Sequence, residues 1–419
     1  MKISVIIPCY NCEKFIAETL DCLLAQSLKE VQIIVVNDGS KDNSGAIIDE
    51  YAKNNPNILP VHQENAGVSA ARNNGFALAT GKYTMFLDGD DLLGENSLEN
   101  IYNGLEKANA DLAIFRVMRF GFGGEEFNPI VDKLAADSEI SCLDKRLIWN
   151  FLVGNKCYRT QLLRESGVKF PPLRYSEDGA FFMEFIHSVK PKITGVYGAV
   201  QKYRRRAPEE GLSVTQSISL ELIQHFCKSY DIAYNAAERS LKGSAEYDGY
   251  LQELLYKSYF ALINEFYRML WGGDSETLAF MGERSRYLKS KMTSDALKKC
   301  QNAVRDIGEP LFDKTEIAEN PFISISAKHC TTEFLDSLYG QSMPVFELIV
   351  PLGSDVPEHE NIRFSPAEPK GKITVTLSGK KAIDPRFLKV VSLLKRSPKF
   401  GFLPDHIIKL GAELFLKLR

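Results

Sequence analysis

The sequence predicts an α/β fold built on a doubly wound, mostly parallel sheet, and three observations predict it. Short, apolar, β-branched runs alternate with segments of helical period through the first hundred residues. The helices between them are long enough to serve as crossovers, which parallel strands require. Polar segments follow the strand ends, where open sheets of this kind gather their ligands.

The elements follow in order. KISVII (2–7) is a strand closed by Pro8, and CEKFIAETLDCLLAQS (12–27) sets Phe15, Ile16, Thr19, Leu20, Leu23 and Leu24 at helical spacing. VQIIVV (31–36) is a second buried strand ended by Asn37-Asp38-Gly39-Ser40, and Asp42 or Asn43 caps a helix running toward Lys53. NILPV, after Pro56, is a third strand, VSAARNNGFALAT (68–80) a third helix, and YTMFL (83–87) a fourth strand stopping at Asp88. Beyond these, DLAIFRVMRF (111–120) reads as a strand, VGNKCYRTQLLRESG holds a short helix, and GAFFMEFIHSV (179–189) is a further helix. ITGVYGAVQKYRRR reads as a last strand or hairpin, and 216–304 turns helical, broken at Trp271-Gly272-Gly273.

The last hundred residues hold an internal repeat. FISISAKHCTTEFLDSLYGQSMPVFELIVPLGSD (322–355) echoes 3–40, matching Gln341-Ser342 to Gln26-Ser27 and Gly353-Ser354 to Gly39-Ser40. GKITVTLSGKKAIDPRFLK (371–389) echoes GKYTMFLDGDDLLGENSLE (81–99), but Ser378-Gly379-Lys380-Lys381 replaces Asp88-Gly89-Asp90-Asp91. The second copy also omits the segment matching the third helix.

Composition narrows the function. With 419 residues, 44% of them hydrophobic, the chain can bury a large core and form two or three domains. A formal charge of −3 with no basic block argues against a nucleic-acid binder. The start lacks the apolar length of a signal peptide and no run of 18 apolar residues follows, so a cytoplasmic, soluble or peripherally attached protein is expected. Cys9 and Cys12 form a C-x-x-C pair, but no further ligands stand at zinc spacing, so reduced, incidental thiols are the expected reading.

Two acidic groups carry the chemistry. Asp88, Asp90 and Asp91 close a buried strand, and in an extended chain Asp88 and Asp90 would project to one side. Such close carboxylates repel unless a cation intervenes, and Mg²⁺ or Mn²⁺ would satisfy them while leaving positions for phosphate oxygens. A solvated acidic turn capping the next helix is the alternative. Glu177-Asp178 opens the FFMEF helix, either as a cap complementing the helix dipole or as a general base for an attacking hydroxyl.

IIPCYN (6–11), VNDGSKD (36–42), ENAGVSAARNNG (64–75), FLDGDD (86–91) and SEDGAFF (176–182), in this order and spacing, resemble the family-2 inverting glycosyltransferases of GT-A fold. The resemblance covers residues 1 to about 215. It implies that Pro8 and Tyr10 border the nucleotide base, that Asp38 bonds the base, and that Arg72 steadies the acidic loop. Asp88 and Asp90 match a D-x-D motif whose last Asp ligates the metal at the donor diphosphate. Asp178 matches the catalytic base, with Glu177 beside it. Arg204, Arg205 and Ser213 match an element that closes over the diphosphate, and Asn155-Lys156 matches a segment near the acceptor with no assigned role. Three arginines in a row (204–206) also suit a solvated turn.

The resulting expectation is direct displacement on a nucleotide-sugar donor, with UDP as nucleotide and a glycan or lipid-linked hydroxyl as acceptor, in bacterial surface polysaccharide synthesis. A non-catalytic nucleotide-sugar-binding or scaffold protein of the same fold is the rival, and an interaction platform using the helical middle and the repeat is a third class. The expected domains are 1–215 catalytic, 216–310 helical, 320–400 a degenerate GT-A-like repeat, and 401–419 an amphipathic helix. That tail, PDHIIKLGAELFLKLR (404–419), mixes Ile and Leu with Lys and Arg, so it suits either an anionic membrane at the inner face or the protein's own surface.

Overall fold

The computed structural model describes residues 1–121, 124–206, 219–269 and 275–304, and beyond them the backbone of five strands. The first elements are β1 (Ile3–Cys9), α1 (Ile16–Leu24), β2 (Val31–Asp38), α2 (Ser44–Asn54), β3 (Ile58–Gln63), α3 (Val68–Ala77) and β4 (Tyr83–Phe86). Next come β5 (Leu92–Leu93), α4 (Ser97–Ala108), β6 (Leu112–Gly121), β7 (Glu126–Phe127), α5 (Pro129–Ala136) and a 3-10 turn at Lys145–Trp149. β8 (Lys156–Arg159), α6 (Thr160–Ser166), α7 (Glu177–Val189), β9 (Ile193–Arg205) and α8 (Leu220–Leu241) follow. α9 (Tyr247–Met269), α10 (Ser275–Ser290) and α11 (Ser294–Val304) make the helical middle.

These strands form one sheet in the order β3-β2-β1-β4-β8-β6-β9-β5, with β7 paired to β6. The run from β3 to β4 is parallel, β8 is antiparallel to both β4 and β6, and β6 runs parallel to β9. The sheet divides two cores. Ile3, Val5 and Ile7 of β1 with Val31, Ile33 and Val35 of β2 face one of them. Ile6, Ile34 and Val36 face the other, as the period of two requires. Each such side chain, fully buried, contributes about 1.5–3 kcal/mol, which fixes the strand register and hence where the strand ends lie. On α3, a Cβ at Gly75 would stand 2.5 Å from Ile6 Cγ2, so glycine lets this helix lie close on the sheet.

The chain divides into two compact units, Met1–Lys257 and Ser258–Arg419. Within the first, α8 packs against α7. The second unit holds a sheet of β10 (Ile323–Ala327), β11 (Phe346–Val350), β12 (Ile362–Phe364), β13 (Ile373–Leu377) and β14 (Phe415–Lys417), ordered β12-β11-β10-β13-β14. Its first four strands are parallel and β14 is antiparallel to β13. This is the order and sense of β3-β2-β1-β4-β8 in the first sheet. The registers correspond too: Ile323 pairs with Phe346 and Ile373, as Ile3 pairs with Val31 and Tyr83.

One expectation is corrected here. Phe415–Lys417 is a strand on β13, not part of a terminal helix. The free edge of β13 offers a row of unpaired backbone groups, and satisfying them outweighs the helical period of the tail. The rest of that tail, Ser213, Trp271-Gly272-Gly273, Gln341-Ser342, Gly353-Ser354 and Ser378-Gly379-Lys380-Lys381 lie outside the described residues.

Candidate active site

The acidic loop leaves β4 at the carboxyl edge of the parallel strands. The chain turns rather than staying extended, with Asp91 N–H donating to the Asp88 carbonyl at 3.0 Å. The expected common projection of Asp88 and Asp90 is therefore replaced: each carboxylate is drawn to a different arginine. Asp88 Oδ1 accepts from Arg72 Nη2 at 2.7 Å, and Asp90 Oδ2 pairs with Arg206 Nη2 at 2.6 Å. Asp91 is buried and accepts from Gln201 Nε2 at 2.7 Å and from the Arg204 backbone N–H at 2.9 Å. Burial, followed by the charges of Asp90 and Asp88, holds the Asp91 carboxyl well above its usual range. From α1, Thr19 Oγ1 donates to the Gly89 and Asp91 carbonyls at 3.2 and 3.0 Å, so a residue placed on that helix's apolar stripe also fastens the loop.

Arg72 joins this loop to α7. Buried on α3, it spends Nη2 on Asp88 and Nη1 on Glu177 Oε1, the latter at 2.6 Å. Glu177 is buried and held by this pair. Removing one partner from such a buried charge cluster costs about 3–5 kcal/mol, because the others remain desolvated and unpaired.

Asp178 occupies the first turn of α7 and keeps a partial opening to solvent. Desolvation, reinforced by Glu177, pushes its pKa up to about 7, against the opposing pull of Arg72 and Lys156. Its Oδ1 accepts from the Gly179 N–H at 2.9 Å, within the same first turn. The residue before the helix, Ser176, is left-handed at φ 62°, and Ser229 Oγ of α8 donates to its carbonyl at 2.6 Å. A non-glycine residue in that region is strained by about 1–2 kcal/mol, and the bond from α8 helps hold it there.

Lys156, matched to a segment of unassigned role, is fully buried. Its Nζ donates to the Asn150 carbonyl at 2.9 Å, to the Leu152 carbonyl and to Asn155 Oδ1, and lies 4.4 Å from the Phe182 ring centre. It thus ties residues 150–155 to the underside of α7. Burial lowers its pKa to about 7, with the charge of Asp178 opposing.

The remaining expected residues divide. Pro8 pairs with Val36 inside the sheet, and Tyr10 lies just past β1 with 49% exposure. Asp38 is buried at the end of β2 and accepts from Gln63 Nε2 at 2.7 Å, Ala66 N–H at 2.8 Å and Gly67 N–H at 2.9 Å. It shapes the 64–67 turn that opens α3, a structural task that sequence alone did not disclose. Arg204 reaches the acidic loop, donating from Nε to the Asp90 carbonyl at 2.7 Å and from Nη2 to Glu18. Arg205 does not: it pairs with Glu126 of β7 at 2.8 Å. Arg206, which the resemblance did not single out, pairs with Asp90 instead. Gln201 and Ser229 join the site without any signal beyond ordinary polar residues on a strand and a helix. Cys9 and Cys12 are buried free thiols, and the Cys12 thiol donates to the Tyr10 carbonyl at 3.5 Å.

Asp88 and Asp90 offer hard oxygen donors. Among the described residues no group of three or more His, Cys, Asp or Glu could hold an ion unaided. Mg²⁺ and Mn²⁺ bound through substrate phosphates need only one or two carboxylates, so this donor set fits a metal shared with a diphosphate.

A doubly wound sheet, an acidic loop at its carboxyl edge and a carboxyl on a facing helix tied back to that loop place the first unit in the GT-A class of folds. The family model for glycosyl transferase family 2 matches residues 4–167, so the chain carries a family-2 glycosyltransferase domain. It is 34% identical over 193 residues to the uncharacterized glycosyltransferase EpsJ of Bacillus subtilis, covering 43% of this chain and 54% of that protein. It is 30% identical over 209 residues to the poly(ribitol-phosphate) beta-glucosyltransferase of Bacillus spizizenii, covering 47% of this chain and 31% of that one. The chain thus spans about half the length of the first relative and a third of the second. Its fold resembles that of S. aureus TarS solved with UDP-GlcNAc, with a TM-score of 0.56 and 22% identity over 73% of this chain and 90% of that one.

Proposed function

We propose that this chain is an inverting glycosyltransferase that moves a sugar from a nucleoside diphosphate, UDP foremost, to a hydroxyl of a surface polymer. The observation that carries the reading is Arg72: one buried guanidinium ties the donor-side loop at Asp88 to Glu177, next to Asp178. A donor phosphate at the loop and an acceptor hydroxyl at Asp178 are thereby held in one rigid frame, which displacement at a single carbon requires. Asp178, with its pKa about 7, accepts the acceptor's proton as the oxygen bonds to the anomeric carbon. The bond to the diphosphate breaks on the opposite face, giving inverted configuration. A Mg²⁺ or Mn²⁺ ion at Asp90 and Asp88 would act as Lewis acid toward the charge on the leaving diphosphate. The relatives point to the acceptor class: one is named for a poly(ribitol-phosphate) substrate, and a glycan or lipid-linked carrier is the broader class. Among the described residues no helix is long and apolar enough to cross a membrane.

Calorimetric titration of UDP, GDP and dTDP, with and without Mn²⁺, tests the donor half. Metal-dependent binding of one nucleotide, lost in Asp90→Ala, is expected. A folded protein that binds none of the three would remove the catalytic reading and favour a scaffold.

We also infer that 320–400 is a degenerate copy of the first sheet. The shared strand order and register support it, and the sequence after β13 reads Ser378-Gly379-Lys380-Lys381, without the carboxylates a metal would need.

A further inference from the structure

The three carboxylates of the acidic loop crowd one another, and the chain gives each a partner: an arginine for two of them and neutral donors for the third. Asp88 has Arg72, Asp91 has Gln201 and a backbone N–H, and Asp90 has Arg206. The last pair differs from the others in lying on the group matched to the metal. Arg206 places Nε at 2.8 Å and Nη2 at 2.6 Å from the same oxygen, Oδ2 of Asp90. Both side chains are largely buried, 18% and 17% exposed. The guanidinium also lies 4.8 Å from the Phe15 ring centre and against the Cys12 thiol, while Arg204 covers the same ring at 5.1 Å. Phe15 thus serves both arginines, and packing as well as charge holds Arg206 in place.

A guanidinium that grips Oδ2 with two nitrogens leaves a metal only the other oxygen of Asp90 and sets two cations side by side on one carboxylate. We propose that Arg206 is a built-in counter-cation of the acidic loop, which a divalent metal must displace from Asp90, so that metal and donor diphosphate load together. The diphosphate gives the released guanidinium a new anionic partner, for which arginine's planar fork is suited. Metal alone must break the pair without that return. The inference rests on the proposed metal role of Asp90, and it makes an unusual claim: loss of a cation near the site should improve binding of another cation.

The test measures Mn²⁺ affinity of the full chain from the free-ion electron paramagnetic resonance signal, without nucleotide and with saturating UDP. Wild type, Arg206→Gln, Arg206→Lys and a control, Arg119→Gln, on a half-exposed arginine of β6 that faces Glu126, are compared, with thermal melts to establish folding. Arg206→Gln is expected to bind Mn²⁺ alone roughly tenfold more tightly, the scale of a lost charge-assisted pair. UDP then improves its Mn²⁺ affinity by a smaller factor than in wild type, as reciprocal coupling demands. Arg206→Lys, which keeps the charge but loses the two-nitrogen grip, should fall between, and Arg119→Gln should match wild type. If both Arg206 variants bind Mn²⁺ alone no more tightly than wild type, while wild type with UDP does bind it, the counter-cation role is overturned and the metal reading stands. If wild type binds no Mn²⁺ even with UDP bound, both fall together.

Discussion

At the residue scale, burial of Asp178 works against the charge that its proposed role as base needs. Its carboxyl is pushed up to about 7 because little water reaches it and Glu177 adjoins it. A base must be deprotonated to act, so kcat/KM should fall about tenfold per pH unit below 7 and level off above it. Stability runs the other way. The folded state holds this proton more tightly than the unfolded one, so the stabilisation is complete below the ordinary aspartate range and is lost as pH rises through about 7. Asp178→Asn cannot ionise. It should lose on the order of 10²–10⁴ in kcat, yet resist urea at pH 8 by on the order of 1–3 kcal/mol more than wild type. Equal urea stability at pH 8, or a rate indifferent to pH between 5 and 7, would exclude Asp178 as the base.

At the element scale, the N-terminus of α7 is positioned from three sides: Arg72 on α3, Ser229 on α8, and the 150–155 segment fastened by Lys156. Gly179 shows how closely that segment approaches, since a Cβ there would stand 2.3 Å from the Phe151 ring. Gly179→Ala must push either Phe151 or the helix aside, at a cost of about 1–3 kcal/mol. Because Asp178 is the adjacent residue, kcat should drop by about tenfold or more, the penalty of sub-ångström misplacement. UDP affinity should hold, since the residues expected to border the base, Pro8, Tyr10 and Asp38, stand on or just past β1 and β2. A matched fall in UDP affinity would mean that the donor and acceptor halves are not separable in this way. Much of this scale was legible beforehand: the helix and its two acidic residues stand in the sequence. The strained Ser176 and its bond from Ser229 were not, because nothing local distinguishes that serine from any other.

At the scale of the whole molecule, the second sheet repeats the strand order of the first without its acidic loop sequence. A chain ended after residue 304 keeps the entire first sheet and the described helices. It should bind UDP within about threefold of the full chain if the second sheet is silent toward the donor, as calorimetry can establish. A larger loss would assign the repeat a part in nucleotide binding and contradict its reading as degenerate.

The sequence by itself determined the alternating strands and helices from β1 to β4, the echo between its first and last hundred residues, and the motifs holding Asp88, Asp90, Arg72 and Asp178. These follow from local periodicity, which neighbouring residues write directly. Which charge neutralises which was decided only by tertiary structure. Arg204 and Arg205 were read as neighbours in function, but side chains along an extended chain alternate, so Arg204 and Arg206 reach the acidic loop while Arg205 turns to Glu126. Arg72 meets Glu177 across 105 positions and Arg206 meets Asp90 across 116. Such pairings exist through space, where burial makes an unpartnered charge costly, and no spacing along the chain records them.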